Sequence, residues 1–159
     1  MARTKPKNDH PAPHIRNKKA AYKYVILEKI ECGLCLLGTE VKSLRDGQVS
    51  LDEAFARMRD GELWLIGAHF APYRFGNTAN HDPLRPRKLL VHRSELVKLG
   101  AKVAQKGLTI VPLALYFNDR GLAKATLGLA QGKTHADKRQ TLRARDDRRE
   151  MERARNRRR

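Results

Sequence analysis

The 159-residue sequence lacks long apolar runs and contains only two cysteines. No stretch approaches the roughly 20 apolar residues that a membrane-spanning helix requires. A basic peripheral membrane protein is the alternative, but neither basic end pairs its charges with an aromatic or Leu face, so we expect no membrane association. The cysteines form one Cys32-Gly33-Leu34-Cys35 motif, and neither a second CxxC nor a paired-histidine motif is present to complete a zinc site. A redox pair would need the first thiol at a helix N-terminus, whereas this motif lies in a strand-like stretch. We therefore interpret both cysteines as ordinary strand residues pointing to opposite faces of a sheet, and we predict neither a metal nor a cofactor.

Motifs of catalysis and of secretion are also missing. The six histidines are scattered without HxxxH or HExxH spacing, and there is no Gly-rich phosphate loop and no serine nucleophile elbow. A nuclease site built from His69, His81 and Asp82 is the enzymatic alternative, but a histidine in a surface loop is more often inert. The N-terminus lacks the apolar segment of a secretory signal. We therefore expect a cytoplasmic binding protein rather than an enzyme.

Acidic residues are scarce, since 17 Asp and Glu face 34 Lys and Arg for a net charge of +17. Residues 1–23 carry +6 and residues 132–159 carry +7, whereas the 108 residues between them carry only +4. Two basic ends on a nearly neutral body are typical of a protein that binds a polyanion, because each cation near a phosphate releases condensed counterions. We predict nucleic-acid binding. The alternatives are basic ends that only keep the protein soluble, and a DNA-coating protein that binds duplex DNA and structured RNA alike.

The chain divides into three segments by composition. Residues 1–21 mix Pro, Asn, His and Lys without periodicity, which predicts a mobile basic arm. Residues 22–131 hold most of the apolar residues and predict one folded domain. Residues 132–159 contain too few large apolar residues for a core, but ion pairs at i,i+3 and i,i+4 favour a helix by about 0.2–0.5 kcal/mol each. We expect this basic tail to be frayed when free and helical on RNA, the alternative being permanent disorder.

The middle segment consists mainly of short β-like runs separated by turn residues. Asp60-Gly61 and the run from Asn118 to Gly121 each predict a hairpin. Residues 93–105 have helical spacing and end before Gly107, and a capping box predicts a helical turn over 51–54. The fold class is therefore mainly β, a small closed antiparallel barrel of the oligonucleotide-binding (OB-like) type with two or three short helices and a basic C-terminal tail. The predicted strands lie within 22–27, 34–37, 40–44, 54–58, 63–66, 88–92, 109–117 and 123–129. The connection 72–86 is left open between a functional loop and a flexible one.

Four motifs, in the same order from about residue 15 to the C-terminus, resemble those of the SmpB family, the bacterial SsrA-binding proteins. They are Asn17-Lys18-Lys19-Ala20, the GTEVKSLR run from Gly38 to Arg45, the HDPLRPRKLL run from His81 to Leu90, and Gly132-Lys133 followed by Asp137-Lys138-Arg139. The resemblance implies an OB-like barrel that binds the tRNA-like domain of transfer-messenger RNA and delivers it to stalled ribosomes. It also implies a C-terminal tail that occupies the decoding centre and the mRNA channel, leading to nascent-peptide tagging and ribosome rescue. Elongation factor Tu is the partner implied in the delivery complex.

The resemblance also implies which residues contact transfer-messenger RNA. The corresponding positions are Asn17, Lys18, Lys19, Glu31, Leu90 and Lys124. Lys124 supplies a cation for a phosphate, and Leu90 an apolar contact to a base or sugar. Glu31 would accept hydrogen bonds from base amino groups or a 2′-OH; the alternative is a strand-end carboxylate that pairs with Lys29 or Lys124.

The positions implied for small-subunit ribosomal RNA lie in the tail. They are Gly132, Lys133, His135, Asp137, Lys138 and Arg139. Gly132 would let the chain turn out of the barrel, and Asp137 would cap the helix. The family typically has an aromatic residue or His directly before the Asp-Lys-Arg triplet, where this chain has Ala136 with His135 one place earlier. A shift of one residue along a helix rotates the side chain by about 100°, so a helical His135 would not point in the direction of the family's residue. We therefore expect His135 to stack from an irregular segment ahead of the helix; the alternative is that this protein works without the contact.

Overall fold

The computed structural model describes residues 13–157, apart from the side chains of residues 105, 106 and 157. The strands in this part of the chain are β1 (Ile15–Arg16), β2 (Tyr24–Leu34), β3 (Val49–Ser50), β4 (Phe55–Arg59), β5 (Glu62–Ile66), β6 (His69–Phe70), β7 (Arg87–Leu90), β8 (Thr109–Phe117) and β9 (Ala123–Gly132). The helices are α1 (Ala20–Lys23), α2 (Gly38–Arg45), α3 (Arg93–Lys106) and α4 (His135–Arg157), with a short 3-10 turn at Asn77–Ala79.

The main sheet closes on itself. Its antiparallel strands are ordered β1-β8-β4-β5-β7-β2-β9, and β8 also pairs with β9, so the pairings from β8 through β4, β5, β7, β2 and β9 return to β8. β4 and β8 share one residue pair, Ala56 opposite Ile110, and β1 pairs with β8 further along the same strand. β3 and β6 form a separate two-stranded sheet. This arrangement confirms the predicted small, mainly β, antiparallel barrel. Closure leaves few strand edges exposed to pair with other chains.

The alternating side chains of the strands fill the barrel interior, and α3 covers it. Leu99 of α3 is buried with Leu63, Leu65, Leu115 and Leu127 from the strands. The helix ends at Gly107, whose φ of 57° is the left-handed conformation that favours glycine. Both predicted hairpins are present, joining β4 to β5 and β8 to β9. The pattern of apolar residues therefore predicted these elements correctly.

Several short segments differ from the sequence prediction. Residues 22–23 were expected in a strand but belong to α1, and residues 35–37 and 91–92 were expected in strands but follow the ends of β2 and β7. Residues 40–44 were expected to form a strand, but they belong to helix α2, because the Glu40 side chain accepts a hydrogen bond from the Leu37 N–H (2.7 Å) and caps its first turn. Residues 51–54 were expected to form a helical turn, but they form only a hydrogen-bonded turn, with the Ala54 N–H donating to the Leu51 carbonyl (3.1 Å). Strand β4 begins directly after this turn, so no room remains for a helix.

The described part of the N-terminal arm belongs to the fold. Ile15 and Arg16 pair with Leu115 and Ala114 of β8, and the Ala20 side chain of α1 packs in a small cluster outside the barrel. The expectation of a mobile arm over residues 1–21 is therefore wrong for residues 15–21, because strand β8 and this outer cluster hold them in place. Residues 1–12 lie outside the described part of the chain.

The two cysteines have different environments, but only Cys32 is the strand residue that the sequence predicted. Cys32 is buried in β2, and its Sγ lies 3.5 Å from the Ala125 carbonyl, whereas Cys35 follows the strand and is exposed. Burial raises the pKa of the Cys32 thiol to about 12, so it stays protonated. A protonated thiol in the core is not a nucleophile, which agrees with a structural role.

A buried ion pair joins helix α2 to strand β7. The Glu40 carboxylate accepts hydrogen bonds from Arg87 Nε (2.8 Å) and Arg85 Nη2 (2.7 Å), and Glu40 and Arg87 are both fully buried. Arg87 also donates to the Ala68 carbonyl (2.8 Å), and its guanidinium lies 3.9 Å from the centroid of the Phe70 ring. Burial by itself raises the pKa of Glu40, but the Arg85 and Leu37 hydrogen bonds and the Arg87 charge bring it below its usual value. The carboxylate is therefore ionised, and the two arginines balance its charge.

Replacing Arg87 by Met should lower the free energy of unfolding by about 3–5 kcal/mol, because it leaves the Glu40 charge buried with its partner removed. Urea unfolding curves measure this loss. The matched control is Arg85→Ala, which should cost less because Arg85 is partly exposed and Glu40 keeps Arg87. Equal losses for the two variants would contradict the central role given to Arg87.

Candidate nucleic-acid interface

One outward row of side chains crosses four strands at the end of β2 that leads to α2. Leu90 of β7 lies opposite Gly33 of β2, Gly33 opposite Lys124 of β9, and Lys124 opposite Tyr116 of β8. A side chain at Gly33 would meet the Leu90 Cβ at 3.1 Å, so the glycine leaves room for Leu90. Leu90 is 52% exposed although it is apolar. An exposed apolar residue between polar neighbours suits contact with a base or a sugar.

Glu31 links the polar members of this row. Its carboxylate lies 3.6 Å from Lys124 Nζ, and the Tyr116 hydroxyl donates a hydrogen bond to it. Partial burial and the Glu31 contact raise the pKa of Tyr116, so the phenol remains a donor. Of the two alternatives for Glu31, pairing with Lys124 is thus present in the structure. We refer to Glu31, Leu90, Tyr116 and Lys124 as the body face.

Three residues of the body face, Glu31, Leu90 and Lys124, line one wall of a groove. The groove has a volume of about 1030 Å³, and its other walls are the β4–β5 turn and helix α3. Its lining includes the acidic residues Glu62 and Glu95 as well as the basic residues Lys88 and Arg93. Mixed charges of this kind do not make a simple phosphate cleft, but they provide donors and acceptors for base edges and 2′-OH groups.

The Asn17 side chain makes its hydrogen bonds within the protein. Its Nδ2 donates to the Leu51 carbonyl (2.9 Å) and the Pro112 carbonyl (3.0 Å), while its Oδ1 accepts from the Ala20 N–H (3.0 Å). The structure thus gives Asn17 a positioning role in the segment that carries Lys18 and Lys19, rather than a free amide for RNA. Lys18 is exposed.

Lys19 is engaged by a neighbouring carboxylate. Its Nζ lies 2.9 Å from Asp52 Oδ2, and this hydrogen bond raises the pKa of Lys19. The lysine is therefore charged at neutral pH, but it shares that charge with an acid on the surface. A phosphate that binds Lys19 has to compete with Asp52.

The tail leaves the barrel at the opposite end of the β2–β9 ribbon. The ribbon is paired from Tyr24 opposite Gly132 to Gly33 opposite Lys124, which corresponds to about 30 Å along the strands. Beyond Gly132, the Lys133 N–H donates to the Lys23 carbonyl (3.0 Å). The body face and the root of the tail therefore lie at two different ends of one structural element.

Gly132 and His135 differ from their expected roles, whereas Asp137 takes part in the helix cap. Gly132 is the last residue of β9, has no left-handed φ and would accept a Cβ without contact, so it is not a flexible turn. Thr134 and Asp137 form a reciprocal cap, in which the Thr134 N–H donates to Asp137 Oδ2 (3.0 Å) and the Asp137 N–H donates to Thr134 Oγ1 (3.3 Å). Asp137 thus lies in the first turn, and its bonds to Thr134 lower its pKa. His135 is an exposed residue of that turn rather than part of an irregular segment.

The remaining tail cations differ in their exposure. Lys133 Nζ donates to the Ala21 carbonyl (2.8 Å) and to Thr141 Oγ1 (3.1 Å), which ties the start of the tail to α1. Lys138 is partly exposed and Arg139 is exposed. Later in α4, Arg148 pairs with Glu152 and Asp146 with Arg149, each at 3.9 Å, as the spacing predicted. The exposed cations of α4 are thus arranged along a single helix.

Comparison with known proteins agrees with these features. The family described as SmpB protein matches residues 14–157, nearly all of the chain. The chain belongs to the SmpB family.

The alignments with individual relatives also cover most of the length of both proteins. The SsrA-binding protein of Thermosynechococcus vestitus is 58% identical over 139 residues, 87% of this chain and 91% of the relative. That of Rhodopirellula baltica is 49% identical over 142 residues, 89% of this chain and 81% of the relative. A solved chain from work on tmRNA–SmpB in the bacterial ribosome has a TM-score of 0.67 and 52% identity, covering 83% of this chain and 96% of that chain.

The structure of this SmpB-family chain adds one residue that the sequence did not indicate. Tyr116 completes the body face, yet nothing in its local sequence separates it from other aromatic strand residues. Its place in the body face follows only from the strand register, which sets Tyr116 opposite Lys124. Within residues 13–157, no group of three or more His, Cys, Asp or Glu side chains is arranged to hold a metal, and no helix is long and apolar enough to cross a membrane.

Replacing Asn17 by Ala should lower the free energy of unfolding by about 1–3 kcal/mol, because two carbonyls and one N–H lose their partners. Replacing the exposed Lys18 by Ala should leave stability within about 0.5 kcal/mol of the wild type and weaken RNA binding. Chemical denaturation and an RNA titration of both variants measure the two effects. An Asn17→Ala protein of normal stability with weakened RNA binding would instead indicate direct contact with RNA.

Proposed function

We propose that this protein binds the tRNA-like domain of transfer-messenger RNA and delivers it to stalled ribosomes. There, its C-terminal helix occupies the decoding centre and the mRNA channel, which permits nascent-peptide tagging and ribosome rescue. The observation that carries the proposal is the separation of two RNA-directed elements, the body face and the basic tail, by the β2–β9 ribbon in a chain of the SmpB family.

The body face selects RNA by shape and by 2′-OH contacts. Lys124 is directed at a phosphate, Leu90 at a base or sugar, and Glu31 at donors of the RNA, while Lys18 and Lys19 contribute charge near the other end of the ribbon. Glu31 already pairs with Lys124, and Asp52 already pairs with Lys19. The electrostatic attraction of these lysines for a phosphate is therefore weakened. A polyanion that supplies only charge therefore gains little from this surface.

The tail acts mainly through charge and length. Helix α4 has 23 residues, so it extends about 35 Å. Its large apolar residues Leu142 and Met151 are exposed, which means that little packing holds it against the barrel. A long basic helix with so few contacts is suited to lie along ribosomal RNA phosphates, with His135, Lys138 and Arg139 near its start. Gly132, Lys133 and Asp137 set the position of that start.

The proposal includes a non-catalytic role in the cytoplasm. The enzymatic alternative relied on His81, but its Nδ1 lies 2.9 Å from Thr39 Oγ1 and its Nε2 lies 3.0 Å from the Phe70 carbonyl. Both ring nitrogens of this buried histidine are thus engaged inside the protein. A general base needs a free nitrogen within reach of its substrate, so His81 serves to anchor its loop.

A variant that ends at Lys133 tests the division of labour between barrel and tail. It keeps the bond between the Lys133 N–H and the Lys23 carbonyl but removes helix α4. At about 0.15 M salt, its affinity for tRNA-like RNA should stay near that of the full chain, because tail contacts that are purely electrostatic are weak there. Tagging of stalled ribosomes should be abolished.

The full-length protein is the control in both assays, and duplex DNA is the competitor. Parallel loss of RNA affinity and tagging would contradict separate roles for the two elements. Similar affinities of the full chain for duplex DNA and tRNA-like RNA would favour the DNA-coating alternative.

Replacing His135 by Ala should impair tagging and leave affinity for tRNA-like RNA unchanged, because the exposed ring can stack on a base only where the tail is bound. His135→Phe should restore much of the activity, since it keeps an aromatic face. His69→Ala, which removes an exposed histidine from β6, is the matched control. Normal tagging by His135→Ala would show that this chain works without a stacking residue there.

A further inference from the structure

The connection between β6 and β7 exposes an aromatic residue. Phe75 is 75% exposed. Its ring meets the Tyr73 ring edge-to-face at 5.6 Å between centroids. The Arg74 guanidinium lies 5.5 Å from the Phe75 centroid, and Lys42 Nζ of α2 lies 4.9 Å from the Tyr73 centroid. We refer to these four residues as the aromatic platform. They place π faces and cations side by side on the surface.

The platform is held in place by its own loop. The Asn80 side chain accepts from the Tyr73 N–H (3.1 Å) and donates to the Tyr73 carbonyl (2.7 Å), and the Gly76 N–H donates to the same carbonyl (2.8 Å). A Cβ at Gly76 would lie 2.7 Å from Asn80 Nδ2, so this tight closure requires glycine. A loop that is already ordered loses little conformational entropy when it binds a partner. Hydrogen bonds thus hold the backbone on both sides of Phe75.

The chemistry of the platform fits single-stranded nucleic acid. Every base has a π face that stacks on aromatic rings, and the neighbouring phosphates attract cations. Lys42 and Arg74 supply positive charge there, against Asp46 in the adjacent cleft. A protein or membrane partner would require a wider apolar surface than one exposed ring surrounded by cations.

Helix α2 connects the platform to the end of the ribbon that carries the body face. It begins four residues after β2 ends at Leu34, and its Lys42 contacts the Tyr73 ring of the platform. Its last turn lies against the end of β8, where Arg45 places its guanidinium 5.5 Å from the centroid of the Phe117 ring, on the opposite face of the strand from Tyr116. An RNA on the body face is therefore the polyanion closest to the platform.

We infer that Phe75, with Tyr73, Arg74 and Lys42 around it, stacks on an unpaired base of the same tRNA-like RNA that occupies the body face. This inference rests on the proposed function. It gives the connection between residues 72 and 86 a direct part in RNA binding and names Phe75 as the stacking residue. The unpaired bases of RNA loops are the natural ligands of such a residue.

An RNA titration with tRNA-like RNA tests the inference on the full-length protein. Phe75→Ala should weaken binding at least about fivefold, the lower end of the effect of losing one stacked base. The dependence of affinity on salt should keep its slope, because no charge is removed. Phe75→Trp should bind the RNA about as tightly as the wild type, because it keeps an aromatic face for stacking. Leu84→Ala is the matched control, since it removes another exposed apolar side chain of the same loop and should leave affinity unchanged.

Fluorescence distinguishes stacking from an indirect effect. The chain has a single tryptophan, Trp64, so Phe75→Trp in a Trp64→Phe background reports on position 75 alone. Its emission should be quenched by tRNA-like RNA. Quenching by ribosomes but not by the isolated RNA would overturn the inference in favour of ribosomal RNA as the partner.

The outcomes also separate this inference from the proposed function. If the wild type prefers tRNA-like RNA over duplex DNA and Phe75→Ala binds equally well, the platform is not a contact and the proposed function stands. If the wild type shows no such preference, the proposed function fails and the inference fails with it. Weakened binding by Phe75→Ala with rescue and quenching by Phe75→Trp supports both.

Discussion

The buried pair of Glu40 and Arg87 is the constraint on which the rest of the structure depends. Strand β7 has four residues and shares only two residue pairs with β2, yet it is the strand that joins β5 to β2 and closes the barrel. Arg87 fixes the start of this strand by binding Glu40 of α2 and the carbonyl before β6. Because Leu90 follows three residues later, the same pair also sets the edge of the body face. The two longest family motifs, GTEVKSLR and HDPLRPRKLL, are thus the two halves of one buried contact.

The β2–β9 ribbon gives the molecule its second organising feature. A paired ribbon about 30 Å long keeps the body face and the tail root at a fixed separation. Helix α2 begins just beyond the body-face end of β2, and its Lys42 contacts Tyr73 of the aromatic platform. Asn17 and α1 stabilise the other end, where Lys133 begins the tail. The arrangement explains how one small barrel serves two RNA partners.

Much of the fold could be predicted from the sequence, because local signals and tertiary structure agree there. Asp60 and Gly61 both have positive φ, as a tight hairpin requires, and β8 covers the residues 109–117 that the apolar run predicted. The failures occur where a distant residue decides. Residues 40–44 form a helix that begins with the cap between Glu40 and Leu37, and the bonds of Glu40 to arginines more than 40 residues away hold this helix against β7. Likewise, the internal role of Asn17 and the place of Tyr116 depend on strand register, which no local pattern reveals.

The distribution of ion pairs explains how a chain with a net charge of +17 can be selective. Lysines on the barrel surface pair with carboxylates of the fold, as in Lys19–Asp52, Lys23–Glu53, Lys88–Glu62, Lys102–Glu28 and Lys124–Glu31. Each such exposed pair is worth only about 0–1 kcal/mol, so a phosphate in the right place can displace the carboxylate. A phosphate in the wrong place gains nothing, because the lysine is already neutralised. The barrel therefore responds to the position of phosphates, whereas the tail, with many more cations than acids, responds to their density.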